Sequence, residues 1–176
     1  MQEISYKDLK FNPFNLIGGE WMLITAGDER LRVGDGTSGM HSCNTMTASW
    51  GHLGCLWGNN DPSAVVYIRE SRYTKEFVDE EPYFSLCVMD KSFKKQMAYL
   101  GSTSGRDEDK IAKTGLTPVY ADNTVISRKP SWCSSARRYM PQKYSPVASS
   151  IRKQSTRVIR RETITPCTWV RSRRCW

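Results

Sequence analysis

The chain has 176 residues, 39% of them hydrophobic and 11% aromatic, enough for one domain with a real core. No apolar run approaches the roughly 20 residues of a membrane helix, and the opening Met1 to Asp8 lacks the basic-then-apolar order of a secretion signal. Its six cysteines form no CxxC pair and only His41 and His52 could join them, which argues against a metal site and for reduced thiols in a cytoplasmic protein.

The net charge of +8 is unevenly spread. Met1 to Thr124 carries 13 Lys and Arg against 17 Asp and Glu, a net of −4, whereas Val125 to Trp176 carries 13 bases and the single acid Glu162, a net of +12. The sequence therefore divides into a mildly acidic domain, residues 1–124, and a basic stretch, residues 125–176.

In chain order, Asn12 to Gly19 reads as a lead-in that turns at the glycine pair, and Glu20 to Ala26 as an apolar strand. A polar, Gly-rich connection follows from Gly27 to Ser42. Within it, Gly34, Gly36 and Gly39 make a formal GxGxxG, but a strand follows where a dinucleotide fingerprint requires a helix, so the motif is read as a loop.

Asn44 to Gly51 alternates small hydroxyl residues with Met46, Ala48 and Trp50, the pattern of a strand with one packed and one polar face. It contains no acid, base or histidine. Its hydroxyls, backbone N–H groups and indole suit a flat, polar-edged ligand carrying a phosphate better than they suit acid–base chemistry; an ordinary amphipathic strand reads the same way.

Gly51 to Gly58 reads as a compact turn, Ala64 to Arg69 as a β-branched strand, and Lys75 to Glu80 as a short helix capped by Thr74. Arg69, Arg72 and Thr74 thus gather at a strand end and a helix start, where a phosphate could be held or where a charged corner could simply be solvated. Tyr83 to Met89 is another strand. Asp90 caps a helix whose Phe93, Met97 and Leu100 fall at core spacing and which ends at Gly101. Ser102 to Asp107 leads into a second short helix through Lys110 to Lys113, stopped by Gly115. Its entrance is a second candidate anion site or a plain capped turn.

Together these segments resemble the flavin reductase-like, FMN-binding split-barrel family over about residues 12–120. The resemblance rests on Asn12-Pro13-Phe14, Trp21 to Gly27, Asn44 to Gly51, Ile68-Arg69 with Arg72-Tyr73-Thr74, Ser104-Gly105-Arg106-Asp107 with Asp109-Lys110-Ile111, and Thr114 to Val119, all in the family's order. It implies a mainly β fold, an antiparallel Greek-key-like split β-barrel with short peripheral helices, usually a homodimer with FMN near the subunit interface. By resemblance Thr45, Thr47, Ala48, Ser49 and Trp50 would line the flavin. Arg72 and Thr74, with Arg69 beside them, would take its phosphate, helped by Ser104, Arg106 and Lys110. The implied chemistry is hydride transfer from NADH or NADPH to flavin, for which the cofactor supplies the electronics and the protein supplies position. The alternative within flavoproteins is an FMN-binding electron carrier without nicotinamide turnover. The Gly27–Cys43 connection is longer than the family's usual turn.

From Val125 onward Leu is absent, Arg and Ser dominate, and no amphipathic period persists, so this stretch reads as disordered or aberrant and the barrel as incomplete at its C-terminus. A nucleic-acid-binding arm is the functional alternative from a different class. The blander reading is a displaced reading frame of the family's own closing strands, since codons for Arg128 to Ser135 and for Thr168 to Trp176 can be chosen whose neighbouring frame reads as apolar strand. Resequencing the gene tests this: a displaced strand-coding string is expected, and an intact frame without one rules it out.

Overall fold

The computed structural model describes residues 5–27, 42–55, 62–121, 124–127, 130–142 and 167–175. The Gly27–Ser42 connection, its GxGxxG and His41 fall almost wholly outside these residues.

The first strand, β1 (Met22–Gly27), is buried along its whole length because it is sandwiched. On its two edges it pairs antiparallel with β2 (Cys43–Ala48), Met22 opposite Ala48, and with β5 (Tyr83–Met89), Leu23 opposite Cys87. Its two faces look into different clusters. Met22, Ile24 and Ala26 join Met46, Ala48, Val66, Ile68 and Phe84. Leu23 joins Cys87 and Met89 beneath Met97 and Leu100 of the helix α2 (Lys94–Ser102). The expected strand start at Glu20 moves to Met22, because Asn15–Glu20 forms a π-helical turn in place of the expected lead-in. Asn12 opens that turn by accepting the amide of Phe14 at 3.0 Å. Lys94 closes it, its Nζ donating to the carbonyls of Gly19 and Glu20 at 2.6 and 3.2 Å and lying 3.3 Å from the Trp21 ring centroid. Trp21 has φ 68°, a conformation these contacts hold in place. Partial burial lowers the Lys94 pKa, against the pull of Glu20.

The expected Asn44–Gly51 strand is broken. β2 ends at Ala48, and β3 (Gly51–Cys55) begins after Ser49 and Trp50, where the sequence suggested a compact turn. β3 pairs antiparallel with β4 (Pro62–Tyr67), Gly51 opposite Val66. The helix α1 (Tyr73–Glu80) follows, then β5 as expected, then a 3-10 turn in which Asp90 accepts the Ser92 amide at 2.9 Å. That backbone bond holds the Asp90 carboxyl below its ordinary pKa. After α2 come α3 (Lys110–Lys113), where expected, and the hairpin β6 (Pro118–Ala121) and β7 (Thr124–Ser127).

The basic stretch departs most from expectation. β8 (Pro130–Gln142) pairs with β5, and β9 (Cys167–Cys175) pairs with β8 and β4, giving a seven-stranded sheet in the order β2-β1-β5-β8-β9-β4-β3. Sheet ladders use backbone donors and acceptors that every non-proline residue carries, so strands form here without apolar alternation. Small residues fit the contact: Cys133, Ser134 and Ala136 are buried. Register sets Cys87 directly opposite Cys133, and these two form a disulfide, correcting the expectation of reduced thiols.

Among the described residues the sheet is open, with β2 and β3 as its edges. These two edges are one stretch of chain, joined through Ser49 and Trp50. No helix among the described residues is long and apolar enough to cross a membrane.

Phe84 is fully buried where β1, β5 and α1 meet in the larger cluster. Phe84→Ala is expected to cost about 3–5 kcal/mol of stability, read from the urea unfolding midpoint.

Candidate functional site

Residues that leave a sheet at a strand end keep backbone and side chain available to a ligand. Two such places lie side by side here: the Ser49–Trp50 corner between β2 and β3, and the exit of β4 at Ile68–Arg69 leading to α1. Between them is a cleft of about 150 Å³ lined by Met46, Thr47, Ala48, Ser49, Trp50, Tyr67, Arg69 and Arg72. Trp50 is 46% exposed, the Arg69 guanidinium lies 5.1 Å from its ring centroid, and Ile68 is turned into the core. Strand alternation puts Tyr67 and Arg69 on the same side, opposite Ile68. Tyr67 and Met46 were not singled out from the sequence, although that period-2 pattern around Ile68 could have found Tyr67.

Arg72 is the N-cap residue of α1, in extended conformation, and its carbonyl accepts the Lys75 amide at 2.9 Å. The helix thus begins one residue before Thr74, which is not the cap but a buried residue of its first turn. The Arg72 guanidinium donates through Nη1 to the Gly101 carbonyl at 2.8 Å. Thr47 is held by the same helix: its hydroxyl donates to the Met97 carbonyl at 2.5 Å. A Cβ at Gly101 would stand 3.2 Å from the Thr47 Cβ, so α2 ends close against β2.

The remaining sequence-derived candidates lie elsewhere. Thr45 shares a face of β2 with Thr47 but lies one step further along it, outside the cleft, with its hydroxyl 2.8 Å from that of Thr25 and 3.2 Å from the Ile24 carbonyl. Strand alternation alone does not say how far along β2 the cleft extends; Thr45 instead borders a space lined by Ile111, Leu116 and Pro118. Ser104 accepts the Arg106 amide at 3.2 Å. Arg106 is committed to α1, ion-paired with Glu76 and lying over the Tyr73 ring at 4.7 Å. Lys110 is buried, and its Nζ donates to the carbonyls of Leu100 and Thr103 at 3.0 and 2.9 Å. Burial, with the Arg72 guanidinium nearby as a smaller cause, lowers its pKa to about 8. Six of the eleven candidates therefore line one cleft (Thr47, Ala48, Ser49, Trp50, Arg69 and Arg72), and Lys110 reaches its edge indirectly through α2. Among the described residues no three His, Cys, Asp or Glu side chains converge as a metal site would need.

The chain is similar to flavoredoxin of Desulfovibrio vulgaris (Miyazaki F), at 18% identity and TM-score 0.63, over 89% of this chain and 68% of that one. It is similar to an FMN-binding domain of a flavin reductase-like enzyme from Shewanella baltica OS155, at 14% identity and TM-score 0.65, over 99% of this chain and 75% of the other. A third is an FMN-binding protein from Thermus thermophilus with bound 1-cyclohex-2-enone, at 16% identity and TM-score 0.64, over 98% and 79%. No family model matches the sequence, and no curated protein does. The likeness is one of fold: the chain has the fold of the flavin reductase-like split barrels, mainly antiparallel β with short helices.

Lys110 gives this region a pH signature. Between its folded pKa of about 8 and the model-peptide value of 10.5 the unfolded chain holds a proton that the folded chain has released. Stability therefore rises with pH across that window. Compared with Lys110→Met, the native chain is expected to gain stability between pH 7.5 and roughly pH 10, measured as the difference in urea midpoints between the two proteins at each pH.

Proposed function

We propose that the chain is a flavin reductase-like FMN-binding oxidoreductase that passes electrons from NADH or NADPH to flavin. The observation that carries this reading is the convergence in one cleft of a half-exposed indole, the Ser49–Trp50 corner and two guanidinium groups, on a fold shared with FMN-binding proteins.

The donor set fits FMN. The isoalloxazine ring is flat with a polar edge; it would lie against the Thr47–Trp50 stretch, with Trp50 as an aromatic wall and Ser49 supplying a hydroxyl. The phosphate would meet Arg72, with Arg69 alongside, at the start of α1 where helix polarity favours an anion. Bound flavin supplies the electron-accepting chemistry. This chain's residues bind and orient it, and the cleft holds no carboxylate or histidine among its lining residues that would compete for a proton. At about 150 Å³ the cleft is smaller than the about 300–1,000 Å³ usual for small-molecule sites. The described residues of one subunit would therefore cover only part of FMN, which supports a homodimer whose second copy covers the rest.

The flavoredoxin likeness favours a second reading, a flavin-binding electron carrier without nicotinamide turnover. Purification with FMN followed by addition of NADH or NADPH separates the two: a yellow protein that oxidises the nicotinamide supports the first reading, and a yellow protein that does not supports the second. Colourless protein with salt-sensitive binding to DNA or RNA would overturn both. Arg72→Ala is expected to weaken FMN binding by about 10- to 100-fold, the cost of a charge-assisted phosphate contact, in a titration followed by the fluorescence of FMN itself.

A further inference from the structure

Tyr67 lines the cleft next to the indole, and register puts it there. Gly51 of β3 lies opposite Val66 of β4, and His52 opposite Val65. The same ladder carried one step past Gly51 brings Trp50 beside Tyr67. Chain order adds a direction: Tyr67 is the last residue of β4, whereas Arg69 and Arg72 follow beyond the strand end. The Tyr67 hydroxyl therefore belongs to the indole side of the cleft, set back from the guanidinium groups. His52 is the diagonal neighbour of Tyr67 across the ladder, and the two side chains meet. Their ring centroids are 5.7 Å apart, edge to face at 79°, and the Tyr67 hydroxyl lies 3.4 Å from the His52 Nδ1. His52 is exposed and does not itself line the cleft; it reaches the cleft through Tyr67.

The hydroxyls of the cleft are not equivalent. Thr47 has one proton and donates it to the Met97 carbonyl. Tyr67 also has one proton, but its oxygen accepts as well, and its partner Nδ1 either takes that proton or supplies one of its own. With hydrogen on Nδ1, His52 donates to the phenol oxygen and the Tyr67 proton is left for the cleft. Resting on the FMN reading above, we propose that Tyr67 donates a hydrogen bond to a carbonyl oxygen on the polar edge of the flavin ring, and that His52 is the residue that positions it, through Nδ1 and through the edge-to-face contact. The ligand class is a flat heteroaromatic ring with a carbonyl acceptor at its edge, phosphorylated or not. The pair thus acts on the ring, where Arg72 acts on the phosphate.

The test titrates FMN and riboflavin, which share the ring and differ in the phosphate, into the native chain, Tyr67→Phe, His52→Phe and the double variant, followed by flavin fluorescence at one pH. Infrared difference spectra record the carbonyl stretching band of each bound flavin. Tyr67→Phe removes only the hydroxyl, and His52→Phe keeps a ring but removes Nδ1. Tyr67→Phe is expected to weaken both flavins by about fivefold, the scale of one neutral hydrogen bond. The ratio of FMN to riboflavin affinity stays unchanged, and the carbonyl band moves to higher frequency. His52→Phe is expected to weaken both by about threefold in the native chain and to add nothing in Tyr67→Phe, the non-additivity of a residue that acts through its neighbour. A merely structural role would lower the urea midpoint and leave the band in place. Unchanged affinity or an unmoved band in Tyr67→Phe, a loss confined to FMN, or a His52→Phe effect that persists without the hydroxyl overturns the proposal while leaving flavin binding intact. If the native chain binds neither flavin, the FMN reading falls and the proposal falls with it.

Discussion

The constraint on which the structure turns is that the two edges of its sheet are consecutive in the chain. β2 runs antiparallel to β1 at one end of the strand order and β3 to β4 at the other, with only Ser49 and Trp50 between them. Three residue steps separate Ala48 from Gly51, at most about 11 Å, so the sheet must curl until its ends come close. The apolar residues of β1, β2, β4 and β5 then face one another inside the curl, which is the larger core cluster. The cleft is what remains where the ends do not pair.

The outer face of β1 and β5 needs its own cover, and α2 provides it through Met97 and Leu100. This links core and cleft. The helix that buries Leu23 and Met89 is the one whose carbonyls hold Thr47 and Arg72. Its close approach depends on Gly101, where any larger residue would press on the Thr47 Cβ. Packing on one face of the sheet thereby fixes polar groups at its seam.

Much of this was legible in the sequence where a local pattern and its tertiary setting agree. Tyr83 to Met89 is strand at its expected limits, Asp90 caps the turn that leads into α2, and Lys110 to Lys113 is helical and followed by Gly115 with φ 68°. The cleft residues Thr47 to Trp50, Arg69 and Arg72 came from ordered motifs whose spacing the fold preserves. What the sequence did not disclose depends on contacts between distant segments. Thr45 carries the same hydroxyl as Thr47 but bonds Thr25 and Ile24, because how far the cleft extends along β2 is not written in β2 itself. Nothing in the sequence around Lys110 announces that it is buried with its Nζ on the Leu100 and Thr103 carbonyls. β8 and β9 carry no strand period, and their places come from backbone pairing to β5 and β4. The Cys87–Cys133 bond follows from that pairing and from nothing in the spacing of the cysteines.

The half-exposed indole at the seam has a mechanical consequence. Trp50 sits on the covalent link between the terminal strands, and the cleft it borders also touches β4, the neighbour of the far edge. An occupant of that cleft bridges two margins of the sheet that no ladder joins, so its binding free energy adds directly to the cohesion of the folded chain. Were the cleft to take a ligand, capture and curvature would be one equilibrium.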